Sequence, residues 1–125
     1  MIPSPTELFA ACEYLARRFS WDRRLKLNLI RKIHSEAAQL ARIPSDEPAA
    51  LFFAFSQSFE LLAEDYTVLP IVIATNQAKR LGYDLSATAF ELVDLKRAVS
   101  AGLCSFESVR RWFIERLVTP PRWNP

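Results

Sequence analysis

The sequence predicts an all-α fold from its glycine content, its helix-forming composition and its apolar spacing. Two glycines in 125 residues are very few, whereas chains that wind through sheets use many glycines in turns and bulges. Long stretches rich in alanine, leucine, arginine and glutamate favour helices, and apolar residues recur at the spacing of a buried helix face. The chain is 50% hydrophobic and 24% charged, which is typical of a globular protein. We therefore expect residues 1–125 to form a single compact domain of about six helices.

The first two helices are predicted from capping residues and prolines. Ser4 and Glu7 form a capping box around Pro5, which predicts a helix from Pro5 to about Phe19. A second, longer helix is expected to follow Ser20-Trp21-Asp22 and to run to about Arg42. The residues predicted to face inward on these two helices are Leu8, Cys12, Leu15 and Phe19, then Leu25, Leu29, Ile33, Ala37 and Leu40.

The third and fourth predicted helices are the most apolar, so we expect them to be the two central helices. The third runs from about Glu47 to Glu64, and the fourth from about Val68 to Leu81 with Gly82 as its C-terminal cap. Because the fourth begins with a short β-branched run, a strand over residues 68–73 is the alternative. The stripe of the third helix consists of Leu51, Phe52, Phe55, Phe59 and Leu62.

Two further helices are predicted near the end of the chain. Thr88 and Glu91 form a second capping box, which opens a fifth helix that ends near Ala101 and Gly102. Ser105 is expected to cap a sixth helix that runs from Phe106 to about Val118. Residues 1–3 and 119–125 are predicted to be flexible or extended tails.

Several kinds of site and location are not expected. Cys12 and Cys104 lie far apart and have no metal or redox spacing, so both are interpreted as reduced, buried small hydrophobes. The chain contains no run of eighteen apolar residues, so no membrane span is predicted. Its first residues lack the features of a signal peptide, and the cytoplasm is the expected compartment. No metal site and no cofactor are predicted, and the sequence implies no particular oligomeric state.

Four segments between residues 49 and 117 have an order and spacing that are found together in one known family. They are Ala49 to Phe55, Leu81 to Thr88, Glu91 to Leu95 and Phe106 to Phe113. In this order they resemble the Fic/Doc (death-on-curing) family. In that family a central apolar helix leads into a catalytic loop, a second central helix ends in an Asn-Gly-Tyr-like turn, and two smaller helices follow. The resemblance therefore implies a fold of this kind and a toxin–antitoxin or mobile-element origin.

The catalytic motif of that family is degenerate in this chain. The family uses a histidine as base, an acid that holds Mg²⁺, and a glycine-rich turn with an arginine that binds phosphate. Counting back from Gly82 places Glu60 at the base, Glu64 at the metal-binding acid, Asp65 at the glycine and Tyr66 at the asparagine. Because a phosphate site needs accessible backbone N–H groups and positive charge, we interpret this loop as one that has lost nucleotide transfer.

Charge is distributed unevenly along the chain. Residues 45–66 carry five acids and no base, whereas residues 1–44 carry eight bases and four acids. On a helical wheel Arg24, Arg31 and Arg42 share one side, so they are candidate partner-binding residues together with Trp123 of the proline-rich tail. His34, the only histidine, is predicted to have a structural or surface role.

The leading functional hypothesis is a non-catalytic helical module that binds a protein partner. One alternative is a Fic/Doc-like transferase or kinase that modifies a target protein, with Glu60 as base and Glu64 on Mg²⁺. Another is a nucleic-acid-associated protein that uses the arginines, which the nearly balanced net charge of +2 disfavours.

Overall fold

The structure is a computed structural model that describes residues 1–21, 25–58 and 67–120. Six described helices confirm the all-α prediction. Two-residue strands β1 (Asp84–Leu85) and β2 (Leu117–Val118) pair in antiparallel register, and a 3₁₀ turn at Pro44–Asp46 leads into the third helix. The helices are α1 (Pro5–Arg18), α2 (Leu27–Leu40), α3 (Glu47–Gln57), α4 (Val68–Arg80), α5 (Ala89–Ser100) and α6 (Phe106–Arg116).

Helix α3 lies at the centre of the fold, as its composition predicts. It packs against α2, α4, α5 and α6, and most of its side chains are buried. Leu51 and Phe55 belong to one hydrophobic cluster, shared with α1, α2 and α4. Ala49 and Phe52 belong to a second cluster, shared with α4, α5 and α6, in which the ring centroids of Phe52 and Phe113 are 5.2 Å apart. Two clusters on opposite sides of α3 explain why this helix is apolar on nearly every face.

Helix α4 is the second central helix, and the strand alternative for residues 68–73 is wrong because the whole stretch is helical. Its buried residues contribute to both clusters through Ile73 and Ala74. Of its β-branched residues only Ile73 is buried, whereas Ile71 and Val72 are half-buried and Val68 is 36% exposed. A β-branched opening is therefore compatible with a helix even where much of it is only partly buried. None of the described helices is long and apolar enough to cross a membrane.

Three of the predicted helices have wrong boundaries. Helix α2 begins at Leu27 and ends at Leu40, and so is shorter than predicted. Helix α3 ends at Gln57, where Ser58 turns to extended backbone at ψ 120°, so the continuous helix predicted to Glu64 is not formed. Helix α6 ends at Arg116, because the next two residues pair with β1 as strand β2.

The prediction for Phe19 is also wrong. Phe19 is the C-cap of α1 and is 50% exposed, whereas Leu8, Cys12 and Leu15 face the core as predicted. Since the helical path ends at Arg18, the helical wheel no longer places Phe19 inward. Its ring instead stacks on Trp21, with centroids 6.0 Å apart.

The predicted caps are confirmed. The hydroxyl groups of Ser4 and Thr88 accept hydrogen bonds from the backbone N–H groups of Glu7 and Glu91, and each glutamate accepts one in return. Ser105 caps α6 by accepting from the backbone N–H of Ser108 at 3.2 Å. These reciprocal bonds satisfy N–H groups that the first turn of a helix leaves without partners.

Candidate partner-binding surface

The structure describes two of the predicted site residues. Arg31 is exposed on α2, and Arg42 is exposed two residues after that helix ends. The other predicted site residues lie outside the described ranges. They are Arg24 and Trp123 of the predicted partner-binding set, and Glu60, Glu64, Asp65 and Tyr66 of the predicted degenerate loop.

A first cleft, with a volume of about 730 Å³, opens beside the C-terminal half of α2. His34, Ala38 and Arg42 line one side of it, and the extended first residues of the chain, including Ile2, line the other. Pro44 closes the end at the 3₁₀ turn. This cleft therefore brings the predicted residue Arg42 together with His34, in a mostly apolar setting.

The wall of the first cleft is held by a buried polar cluster around Glu47. The Glu47 carboxylate lies 2.9 Å from the Met1 amino group and accepts a hydrogen bond from Gln77 Nε2 at 3.1 Å. Gln77 Nε2 also donates to the Met1 carbonyl oxygen at 3.2 Å. These contacts fix residues 1–3 against α3 and α4, since a buried carboxylate needs such partners to offset its desolvation.

A second cleft, of about 390 Å³, lies between the end of α2, the 3₁₀ turn and the start of α6. Its buried acid is Asp46, whose Oδ2 accepts hydrogen bonds from the backbone N–H groups of Arg42 at 3.2 Å and Ile43 at 3.4 Å. Asp46 Oδ1 lies 3.5 Å from an Arg110 guanidinium nitrogen. Asp46 therefore fixes the backbone between the two clefts and ties it to α6.

Arg110 and Glu107 form the outer rim of the second cleft. Arg110 donates two hydrogen bonds to the Glu107 carboxylate, at 3.1 and 3.0 Å. These bonds are the main cause of the lowered Glu107 pKa, to which the charges of Arg110, Arg111 and Arg42 also contribute. The rim carboxylate is thus already occupied by guanidinium groups of this chain.

Arg42 and Ile43 line both clefts, and we name them the Arg42–Ile43 ridge. Ile43 is 54% exposed, although its backbone N–H is held by Asp46. A branched apolar side chain that projects from a restrained backbone, with a cleft on each side, is suited to contact with another molecule. Sequence reasoning missed Ile43 because it treated the Ile43-Pro44 step only as a helix break; an apolar residue within such a break was the available signal.

The acids and bases of this surface differ in how they are engaged. Each of its acids already has partners within the chain: Glu7 caps α1, Glu47 and Asp46 are bound as described, and Glu107 pairs with arginines. Arg31 and Arg42 make no ion pair with any of the residues that the structure describes. The charge that remains available to a partner on this face is therefore positive.

The described residues offer binding groups more than reactive ones. Within the described ranges, no three His, Cys, Asp or Glu residues are grouped so as to hold a metal ion. Burial raises the pKa of the Cys12 thiol to about 12, so this cysteine stays protonated and is not a nucleophile near neutral pH. His34 lies in the first cleft, where its ring nitrogens can contribute a hydrogen bond to a bound partner.

Comparisons of the chain with protein-family models, with curated proteins and with solved structures found no match.

Proposed function

We propose that this protein is a non-catalytic module that binds a protein partner through the Arg42–Ile43 ridge and the clefts on either side of it. The observation that carries the proposal is the exposure of Ile43 on a backbone fixed by Asp46, beside an arginine without an ion pair among the described residues. Arginine is enriched among the residues that contribute most to protein interfaces, and a side chain on a restrained backbone loses little conformational entropy when it binds.

The proposal includes a degenerate Fic/Doc-like scaffold of toxin–antitoxin or mobile-element origin. The order of the elements supports it: a central apolar helix α3 is followed by a second central helix α4, which ends before Leu81-Gly82-Tyr83, and then by two further helices, α5 and α6. The substitutions Glu60, Asp65 and Tyr66 in the corresponding loop of the sequence favour binding over nucleotide transfer.

The test is quantitative affinity capture with purified wild-type protein and two variants. Ile43→Asp places a charge in the centre of the ridge, whereas Leu103→Asp is a matched control, since Leu103 is 79% exposed and follows α5. We expect at least one partner to be lost with Ile43→Asp and retained with Leu103→Asp. Equal capture by all three proteins would contradict the proposed surface.

A second measurement separates binding from catalysis. Thermal unfolding of the wild type is recorded with ATP, GTP, UTP and CTP, each with and without Mg²⁺. A nucleotide at a hundred times its dissociation constant adds about 2.7 kcal/mol of stability, which is several degrees for a chain of this size. We expect no Mg²⁺-dependent shift. A shift that Glu64→Ala abolishes would assign the transferase function instead.

A further inference from the structure

The Arg42–Ile43 ridge and the α2 face that leads to it combine positive charge with an apolar cleft, and this combination favours one class of partner segment. We infer, on the basis of the proposed function, that the occupant is an extended acidic peptide segment of another protein. Its two carboxylates pair with Arg31 and Arg42, and an apolar side chain between them enters the first cleft.

Charge complementarity is the first argument. Glu7, Asp46, Glu47 and Glu107 are the acids that line the two clefts, and all of them are engaged by N–H groups or cations of this chain. An acidic segment therefore meets no free carboxylate, whereas it finds cationic groups at Arg31 and Arg42. A basic segment would have to compete with Arg110 for Glu107 and with the Met1 amino group for Glu47.

Spacing is the second argument. Arg31 lies on the face of α2 that carries His34 and Ala38. Arg42, two residues beyond the end of that helix, lines the first cleft together with His34 and Ala38. Arg31 precedes Leu40, the last residue of α2, by nine residues, which is about 13 Å along the helix axis. An extended peptide advances about 3.3 Å per residue and points alternate side chains to the same face. Two acids about four residues apart fit within the reach of the arginine side chains. The residue midway between the acids then faces the apolar wall at Ala38.

The lining of the clefts favours a protein segment over a nucleic acid. Ile2, Ala38, Ile43 and Pro44 give the first cleft an apolar wall, which a phosphate backbone cannot use. Nucleic-acid surfaces instead require basic groups along their length.

The experiment selects random twelve-residue peptides, displayed on phage, against the immobilised wild-type protein. We expect the enriched peptides to share two acidic residues about four positions apart, with an apolar residue midway. A synthetic peptide of the enriched sequence is then titrated against variants by fluorescence anisotropy. Arg31→Ala and Arg42→Ala should each weaken binding about two- to five-fold, as expected for exposed ion pairs. The control Arg97→Ala, at an exposed arginine of α5, should leave binding unchanged.

Charge exchange gives the sharpest readout. Arg42→Glu should weaken binding of the acidic peptide more than Arg42→Ala does. A peptide with lysine in place of the acid that pairs with Arg42 should bind Arg42→Glu more tightly than the acidic peptide does, but should show no such gain with the Arg97→Ala control. Selected peptides that lose binding with Ile43→Asp yet are neutral or basic would overturn the acidic segment and leave the proposed function standing. A selection in which no peptide depends on Ile43 would overturn both. A twelve-nucleotide oligothymidylate that binds more tightly than the peptides, and that weakens with Arg31→Ala, would overturn the inference in favour of a nucleic acid.

Discussion

Replacing Ser20 with glycine should stabilise this protein. Helix α1 ends in a Schellman motif, in which the Trp21 N–H donates to the Ala16 carbonyl at 2.9 Å and the Ser20 N–H donates to Arg17 at 3.3 Å. This geometry requires the left-handed backbone conformation at Ser20, whose φ is 53°. A residue with a Cβ is disfavoured there, because the Cβ approaches the following carbonyl oxygen.

Helices α4 and α5 end in the same motif, but with glycine at the left-handed position. Their corresponding positions are Gly82 at φ 86° and Gly102 at φ 74°. The same pair of backbone hydrogen bonds closes each helix, from Gly82 and Tyr83 in α4 and from Gly102 and Leu103 in α5. Among the described helix ends, α1 thus carries serine where α4 and α5 carry glycine.

The expected gain follows from two opposing contributions. Left-handed backbone costs a non-glycine residue about 1–2 kcal/mol. Glycine loses more conformational entropy on folding, which offsets about 0.5–1 kcal/mol of that gain. The difference between these ranges is about 0–1.5 kcal/mol. Its midpoint, a net stabilisation of about 0.75 kcal/mol by Ser20→Gly, raises the Tm of a chain of 125 residues by about 2–5 °C.

Urea and thermal unfolding, followed by circular dichroism, would measure the difference in stability between Ser20→Gly and the wild type. Gly82→Ala is the matched control in the opposite direction. A Cβ added at Gly82 meets no atom within 4 Å, so its cost of about 1 kcal/mol comes from the backbone conformation alone. If Ser20→Gly left the Tm unchanged or lowered it while Gly82→Ala behaved as expected, the end of α1 would not be strained in solution.

Three further predictions concern titratable groups. Hydrogen bonds from Thr88 lower the Glu91 pKa from 4.5, so this cap stabilises the fold above that pH, and its contribution is lost as the pH falls. The difference in the free energy of unfolding between the wild type and Glu91→Gln should therefore shrink below pH 4.5. Burial raises the Cys12 pKa from 9.0 to about 12. An aromatic disulfide reagent at pH 8 should therefore modify Cys104 well before Cys12. Equal rates of modification would show that α1 separates from the core often enough to expose Cys12. The raised pKa also means that the stability associated with the Cys12 thiol is present below pH 9.0 and declines above it. Lys96 is 4% exposed, and burial, with a smaller effect of the Arg97 charge, lowers its pKa from 10.5. Lys96→Met should therefore raise the urea midpoint near pH 7, and the advantage should diminish as the pH approaches 10.5.

The fold was predictable where local signals and burial agree. Ser4, Thr88 and Ser105 mark helix starts because their hydroxyl groups bond to N–H groups only a few residues away, and no tertiary information is needed. The end of α6 could not be predicted in this way. Leu117 and Val118 leave the helix because β1, more than thirty residues earlier in the chain, offers a strand partner.

The candidate surface was predictable only in part. A helical wheel predicts that Arg31 and Arg42 share one side of a helix that runs to Arg42. Both residues are exposed, but α2 ends at Leu40 and Arg42 lies two residues beyond it. The role of Ile43 depends on the Asp46 side chain, which folds back onto the backbone N–H of Arg42 and Ile43. That bond forms across the break between two helices, where periodicity carries no information.

The charge of the candidate surface shows most clearly why counting charges along the sequence does not predict the charge that a binding surface exposes. Residues 45–66 are the acidic part of the sequence, which by itself favours a basic partner. Yet Asp46 and Glu47 are 3% and 5% exposed, because one anchors the 3₁₀ turn to α6 and the other holds the Met1 amino group. These two carboxylates act inside the fold, and the exposed charge beside them belongs to Arg42. The sign of a binding surface is therefore set by the charges that the fold leaves unengaged, and the acidic partner that we propose rests on the positive charges of this face.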